Sequence, residues 1–257
     1  MTSPTVVFIH IPKTAGSSLR SAMTSVLTGN ELLSVYPRAE WATPARAVPD
    51  LPSERREAAR LVFGHFSHGL HRHFSQPTAY ATVVRDPVER VLSAYFHEVR
   101  GIERRRVDGR PLTRWQQAIA EDEIDPVAYA RGRPPGRRVA HTQNLQTRMI
   151  AGVMHVDGDP EHPDLLELAL ANLPSFAVLG TTQRLGDVAV HLVDAIGVDA
   201  DLDVPELNRN VGRPRAGDLE RADIEEIRDH NRLDVELVAA VRRRIEAASA
   251  EASDRRR

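Results

Sequence analysis

Of the 34 lysine and arginine residues in the chain, Lys13 alone is a lysine. It stands in Pro12-Lys13-Thr14-Ala15-Gly16-Ser17-Ser18, directly after the apolar run Val6-Val7-Phe8-Ile9-His10-Ile11. A lysine ammonium is a compact charge that fits beside a phosphoryl-type oxygen where the planar guanidinium fork is too wide. The order strand, short Gly/Ser loop, helix also aims several backbone N–H groups and a helix N-terminus at one spot, which favours an anion there. The loop differs from a Walker loop, which ends on its lysine: here Lys13 opens the loop and Ser17-Ser18 close it.

A second junction follows at Val83-Val84-Arg85-Asp86-Pro87, where Asp86 suits a helix cap and Pro87 the first helical position. Arg85 at the strand end can make a two-pronged, charge-assisted contact to a phosphate, and Ser93, two turns into the helix, can add a hydroxyl. His65, His68, His71 and His73 cluster after Leu61-Val62-Phe63-Gly64. Spacings of three align the first three on one helical face, a pattern zinc accepts. Gly64 and Gly69 disfavour a regular helix there, and no cysteine or acidic neighbour is at hand to orient ligands. The alternative is an imidazole-lined acceptor pocket.

The elements needed to position these groups are legible in outline. A buried-type strand is predicted at 5–11 and a helix at 17–27, with irregular structure over 37–53. Short strands follow at 61–63 and 80–84, then a helix from Pro87 to about Val99. Residues 100–140 form an arginine-rich, mobile excursion with one helical piece at 114–120. Its arginines (100, 104–106, 110, 114, 131, 133, 137 and 138) either face solvent or meet an acidic acceptor. A strand at 176–180, a helix at 184–196 ended by Gly197, a polar loop at 199–217 and an amphipathic helix at 218–248, interrupted near His230-Asn231, complete the pattern. Strands alternating with helices predict one α/β domain over 1–250, three layers α/β/α around a parallel sheet, with a disordered tail at 251–257.

Composition limits the partners. The 257 residues are 41% hydrophobic, enough for one core. A net charge of −2 and a pI near 6.6 argue against general nucleic-acid binding, so any anion is bound locally. No cysteine is present, no signal pattern opens the chain, and no apolar stretch approaches the roughly 18 residues that span a bilayer. The expectation is a cytoplasmic protein with no membrane partner.

Together the two junctions resemble the PAPS-dependent sulfotransferases, in which the first loop holds a 5′-phosphosulfate and an Arg and a Ser eight positions apart hold the 3′-phosphate. Arg85 and Ser93 have that spacing. The segments Phe63-Gly64-His65-Phe66, Asn144–Gly152 and Asn231–Leu237 extend the likeness to the branch of heparan and chondroitin sulfotransferases and their bacterial relatives. Phe63 departs from it where some members carry a second histidine. The resemblance implies a P-loop-like nucleotide-binding fold. It also implies a sulfotransferase moving a sulfuryl group from 3′-phosphoadenosine 5′-phosphosulfate (PAPS) to a hydroxyl of a carbohydrate or small metabolite, releasing 3′,5′-ADP without a metal. It makes His65 the general base and Lys13 the group on the leaving oxygen, with Lys13, Thr14, Ala15, Gly16, Ser17, Ser18, Arg85 and Ser93 on the nucleotide. Gln146 and Arg148, with His68 and His71, become acceptor-side candidates, and 208–215 a segment that closes over the nucleotide. Two other readings stay open: an ATP-dependent kinase, with Asp86 the obvious acid for magnesium, and a non-catalytic anion- or glycan-binding protein.

Overall fold

The computed structural model describes residues 4–36, 43–132, 142–153, 162, 164–200, 202, 204 and 214–254. Its centre is a five-stranded sheet of β1 (Thr5–Ile9), β2 (Leu32–Val35), β3 (Leu61–Gly64), β4 (Thr78–Val84) and β5 (Phe176–Thr181), in the order β2-β3-β1-β4-β5. Every strand pair is parallel. The central strand Thr-Val-Val-Phe-Ile is buried along its whole length, which is why it reads as an unbroken apolar run.

Alternate residues of the strands feed two cores. Val6, Phe8, Leu61, Phe63, Ala81 and Val83 meet α1 (Gly16–Val26) and α8 (Leu185–Ile196) on one face. Val7, Ile9, Val62, Tyr80 and Val84 meet α6 (Leu145–Ala151), α7 (Asp164–Asn172) and α10 (Arg232–Asp254) on the other. The three-layer α/β/α architecture with a central parallel sheet follows. A short α2 (Ser53–Glu57) precedes β3.

A third apolar cluster joins α3 (Pro87–Val107), α4 (Arg114–Ala120), α5 (Pro126–Arg131) and α9 (Arg221–Asp229) through Val91, Tyr95, Ile102, Trp115, Tyr129 and Ile227. This corrects the expected excursion: through residue 131 that stretch is mainly packed helix. Its heavy arginine content hides apolar residues at helical spacing, Val91, Tyr95 and Ile102 on α3 and Trp115, Ala118 and Ile119 on α4. The interruption expected near His230-Asn231 separates α9 from α10. Arg133, Arg137, Arg138, residues 208–213 and 255–257 lie outside the described residues. Among the described residues no helix is long and apolar enough to cross a membrane.

The connections leave β1 toward β2 and leave β4 toward β5, so the sheet order turns back at the β1/β4 boundary. In such sheets the crevice beyond the carboxyl ends of the strands at this point is where ligands bind.

Candidate active site

Three loops meet at the carboxyl ends of β3, β1 and β4, and the middle one carries Lys13. Lys13 and Ala15 both take left-handed backbone conformations, with φ of 73° and 62°. For a residue with a Cβ this costs about 1–2 kcal/mol each, and such strain concentrates where a loop must present its backbone to a ligand. Thr14 fixes the turn by donating from Oγ1 to the Ile11 carbonyl at 2.8 Å. Gly16 then starts α1 because a Cβ there would lie 2.1 Å from Cδ2 of the His10 ring. Ser17 is exposed at the helix start and Ser18 is buried.

The carbonyls of this loop reach both neighbours. The His10 carbonyl accepts from His65 Nδ1 at 2.7 Å, and the Lys13 carbonyl accepts from Arg85 Nη1 at 3.2 Å. A carbonyl can only accept, so His65 carries its proton on Nδ1 and, when neutral, has its lone pair on Nε2. Burial lowers the His65 pKa from the ordinary imidazole value; the hydrogen bond to His10 opposes this, and the charges of Lys13 and Arg20 add to it. Gly64 is what lets His65 sit there. A Cβ on Gly64 would fall 1.7 Å from the Val35 carbonyl, the atom that accepts the His65 backbone N–H at 2.9 Å.

Lys13 is partly buried among cations. Desolvation, followed by Arg100 and Arg85, lowers its pKa to about 8, with Glu98 opposing and Arg104 adding a smaller push. A cation so placed is short of negative charge, and the α1 N-terminus beside it favours an anion. These residues therefore fit an anionic nucleotide.

Arg85 is held from several sides. Its Nη2 pairs with Glu89 Oε2 at 3.1 Å, and the second Glu89 oxygen accepts the backbone N–H of Ala216 at 2.8 Å. Ser93 lies one further turn along α3, partly buried. Farther along the same helix, Arg100 and Arg104 act on Lys13, and Lys13 in turn is felt by His97, whose pKa partial desolvation and then Lys13 lower. The arginine run thus divides: the charges of these two reach Lys13, while Arg105 donates to the Pro111 carbonyl at 3.1 Å and Arg131 pairs with Glu226 at 2.6 Å on the surface.

The remaining candidates lie elsewhere. Gln146 is fully buried, and its amide brackets the Arg85 backbone, accepting from Arg85 N and donating to Arg85 O at 2.9 Å each. Arg148 is 1% exposed, its pKa lowered by burial against the raising charge of Asp234. Gln146, through its two bonds, is placed to steady the Arg85 backbone. His68 and His71 pack on Tyr80 near the amino ends of β4 and β5, with His68 Nε2 3.2 Å from Ser175 Oγ and His71 Nδ1 2.8 Å from Tyr80 Oη. That is away from Lys13, because the chain after His65 runs back along the sheet to begin β4. A separate cavity of about 340 Å³ between β5, α8 and α10, lined by Leu179, Val188, His191 and Ile245 among others, contains none of the candidates.

Sequence reading missed His10 as a site residue. Its ring lies 4.4 Å from that of His65, with Nδ1 2.8 Å from Tyr36 Oη. Lying inside the apolar run 6–11 it read as strand, and only its place three residues before Lys13 could have marked it.

A family model described as sulfotransferase family matches residues 2–135. A comparison with curated proteins returned no match. The match takes in more than half of the 257 residues, from the first strand through both strand-to-helix junctions, so this chain belongs to the sulfotransferase family.

Proposed function

We propose that the protein transfers a sulfuryl group from PAPS to a hydroxyl of a carbohydrate or small metabolite. Family membership supports sulfotransfer in general. The donor and the residue roles are what the resemblance to PAPS-dependent sulfotransferases implies, and one observation supports them: the loop bearing Lys13 is hydrogen-bonded through its own carbonyls to His65 on one side and Arg85 on the other. When bound, PAPS supplies the sulfuryl group and 3′,5′-ADP is what remains. His65 Nε2 takes the proton of the acceptor hydroxyl as its oxygen bonds to sulfur, while the Nδ1 bond keeps the ring oriented. Lys13 compensates the negative charge left on the phosphate oxygen when the old S–O bond breaks. Arg85 and Ser93 hold the 3′-phosphate.

Asp86, the acid that the kinase reading would use for magnesium, caps α3 by accepting the Glu89 N–H at Oδ1 at 3.1 Å. Thermal unfolding with 3′,5′-ADP against ATP plus magnesium separates the two, since a ligand at 100 times its Kd stabilises by about 2.7 kcal/mol. Sulfate transfer from labelled PAPS to a panel of hydroxyl acceptors tests turnover. Stronger stabilisation by ATP plus magnesium, or binding of 3′,5′-ADP without transfer to any acceptor, would favour the kinase or the non-catalytic reading respectively.

A further inference from the structure

His10 is 6% exposed, yet its imidazole is neither a core filler of ordinary kind nor free to turn. Its Nδ1 lies 2.8 Å from the Tyr36 hydroxyl, its face lies 4.4 Å from the His65 ring at 35°, and Phe63 stands 5.5 Å away. The ring edge toward α1 abuts Gly16, where a Cβ would come within 2.3 Å of Nε2. Tyr36 touches both imidazoles: its hydroxyl meets His10, and its ring meets His65 edge-on at 4.8 Å and 82°. Arg20 of α1 sits 4.9 Å over the Tyr36 ring, a cation–π contact that ties the helix of the anion loop to this pair.

We propose that His10 and Tyr36 act as one positioning unit for His65, the hydroxyl fixing the His10 ring so that it forms the surface on which the His65 ring is held with Nε2 directed to the acceptor. The inference rests on His65 being the base. Three contacts define the His65 ring: Nδ1–H to the His10 carbonyl fixes one edge, and a ring so held can still rock about that bond. The His10 face and the Tyr36 edge, at 35° and 82° to it, remove that freedom. The unit works only if His10 stays uncharged, because two imidazolium rings at this separation repel. Burial, and then His65, Arg20 and Lys13, hold the His10 pKa well below the usual imidazole value, and these with Tyr36 are the titratable and charged groups among the described residues that face it.

Tyr36→Phe removes the hydroxyl and keeps the ring edge, so it tests positioning with little risk to folding; His10→Asn removes the tilted neighbouring ring. Imidazole ¹⁵N spectra of the full labelled chain, assigned by the signals lost in His10→Asn and His65→Asn, report the His65 tautomer without need of an acceptor. The wild type gives a single, sharp Nδ1–H form of His65; Tyr36→Phe keeps that tautomer, because the His10 carbonyl is unchanged, but its ring signals shift and broaden as the ring gains freedom to rock. Turnover falls roughly tenfold while the Kd for 3′,5′-ADP stays within about twofold, the pattern of a lost geometry rather than lost ligand binding. In the double variant, Tyr36→Phe adds nothing to His10→Asn, as expected of residues acting as a unit. Unshifted and equally sharp His65 ring signals in both variants overturn the proposal, as does a loss confined to nucleotide Kd. If His65→Ala keeps its activity, the base assignment fails, and the spectra still decide whether the pair positions His65.

Discussion

His65 and Lys13 set opposite limits on the pH range of the proposed reaction. The base must be neutral, and burial with the charges of Lys13 and Arg20 lowers its pKa below the ordinary value near 6.5. The kcat/KM profile should therefore fall on the acid side with a midpoint below about 6.5. Lys13 must be charged, and in the free protein it loses its proton near pH 8. A bound anion raises that pKa, so binding takes up a proton above pH 8 and nucleotide affinity declines as pH rises through this value. Calorimetry in buffers of different ionisation enthalpy counts that proton, and no uptake at pH 8.5 would contradict the placement of Lys13 on the nucleotide. His65→Ala should cut turnover by roughly 10² to 10⁴ and leave 3′,5′-ADP affinity nearly unchanged, because the base acts on the acceptor. A variant keeping more than about a tenth of the wild-type rate would place the base elsewhere. For the 3′-phosphate the informative measurement is a comparison of ligands. Arg85→Ala should weaken 3′,5′-ADP by about 1 to 3 kcal/mol more than 5′-AMP, whereas equal loss for both would make Arg85 a support for the loop.

The elements that carry these residues were legible to very different degrees. β1 and β4 show as apolar runs because they are central and buried on both faces, and α3 declares its start through Asp86 and Pro87, which the structure uses as cap and first residue. β2 was invisible: it is four residues long, at the sheet edge, and half its positions are only partly buried. α6 was missed for a more instructive reason. Gln146, Thr147 and Arg148 are polar, so hydrophobic periodicity assigns them to the surface, yet all three are buried. What buries them is a hydrogen-bonded network. Asp234 accepts from Thr147 N and Oγ1 at 2.8 Å each and from Gln146 N at 3.2 Å, while Asn144, at φ 47°, accepts from Leu233 N and Asp234 N. A pattern reading of one strand of sequence cannot see partners some 87 residues away. The element-level consequence is that α6 acts on the site through Gln146. Gln146→Ala removes both bonds to the Arg85 backbone and leaves buried polar groups unsatisfied, an expected cost of about 1–3 kcal/mol. Denaturant unfolding should show this loss together with weaker 3′,5′-ADP binding, while unaltered affinity at reduced stability would confine Gln146 to a structural role.

At the scale of the whole molecule, the family match ends at residue 135, but the physical unit does not. The face of the sheet formed by Val7, Ile9, Val62, Tyr80 and Val84 is covered by Leu145, Met149, Ile150, Leu165, Leu237, Val238 and Val241, all from beyond that point. The buried Arg90 of α3 reaches across the same boundary. It donates to the Thr142 carbonyl at 2.6 Å and lies 3.9 Å from the carboxylate of Asp234 on α10, at 1% and 0% side-chain exposure. An ion pair this deep gains little over apolar packing as long as it is intact, because desolvation offsets the attraction. Broken, it leaves one charge buried alone, a loss of about 3–5 kcal/mol. A chain ending at residue 135 would expose an apolar sheet face and strand Arg90 at once, so it should be unfolded or aggregated by circular dichroism and bind no 3′,5′-ADP. Asp234→Ala makes the finer test in the full chain. It removes the Arg90 partner and the acceptor for Gln146 and Thr147 together, so it should lower the unfolding free energy by at least as much as a broken buried pair, and it should weaken nucleotide binding through the Gln146 bracket on Arg85. Asp234→Asn, which keeps the shape and two acceptor lone pairs but not the charge, should retain part of the nucleotide affinity while losing most of the ion-pair stability. Equal behaviour of the two variants would mean that the hydrogen bonds and the charge are not separable contributions, and that the site is held by the carboxylate as a whole.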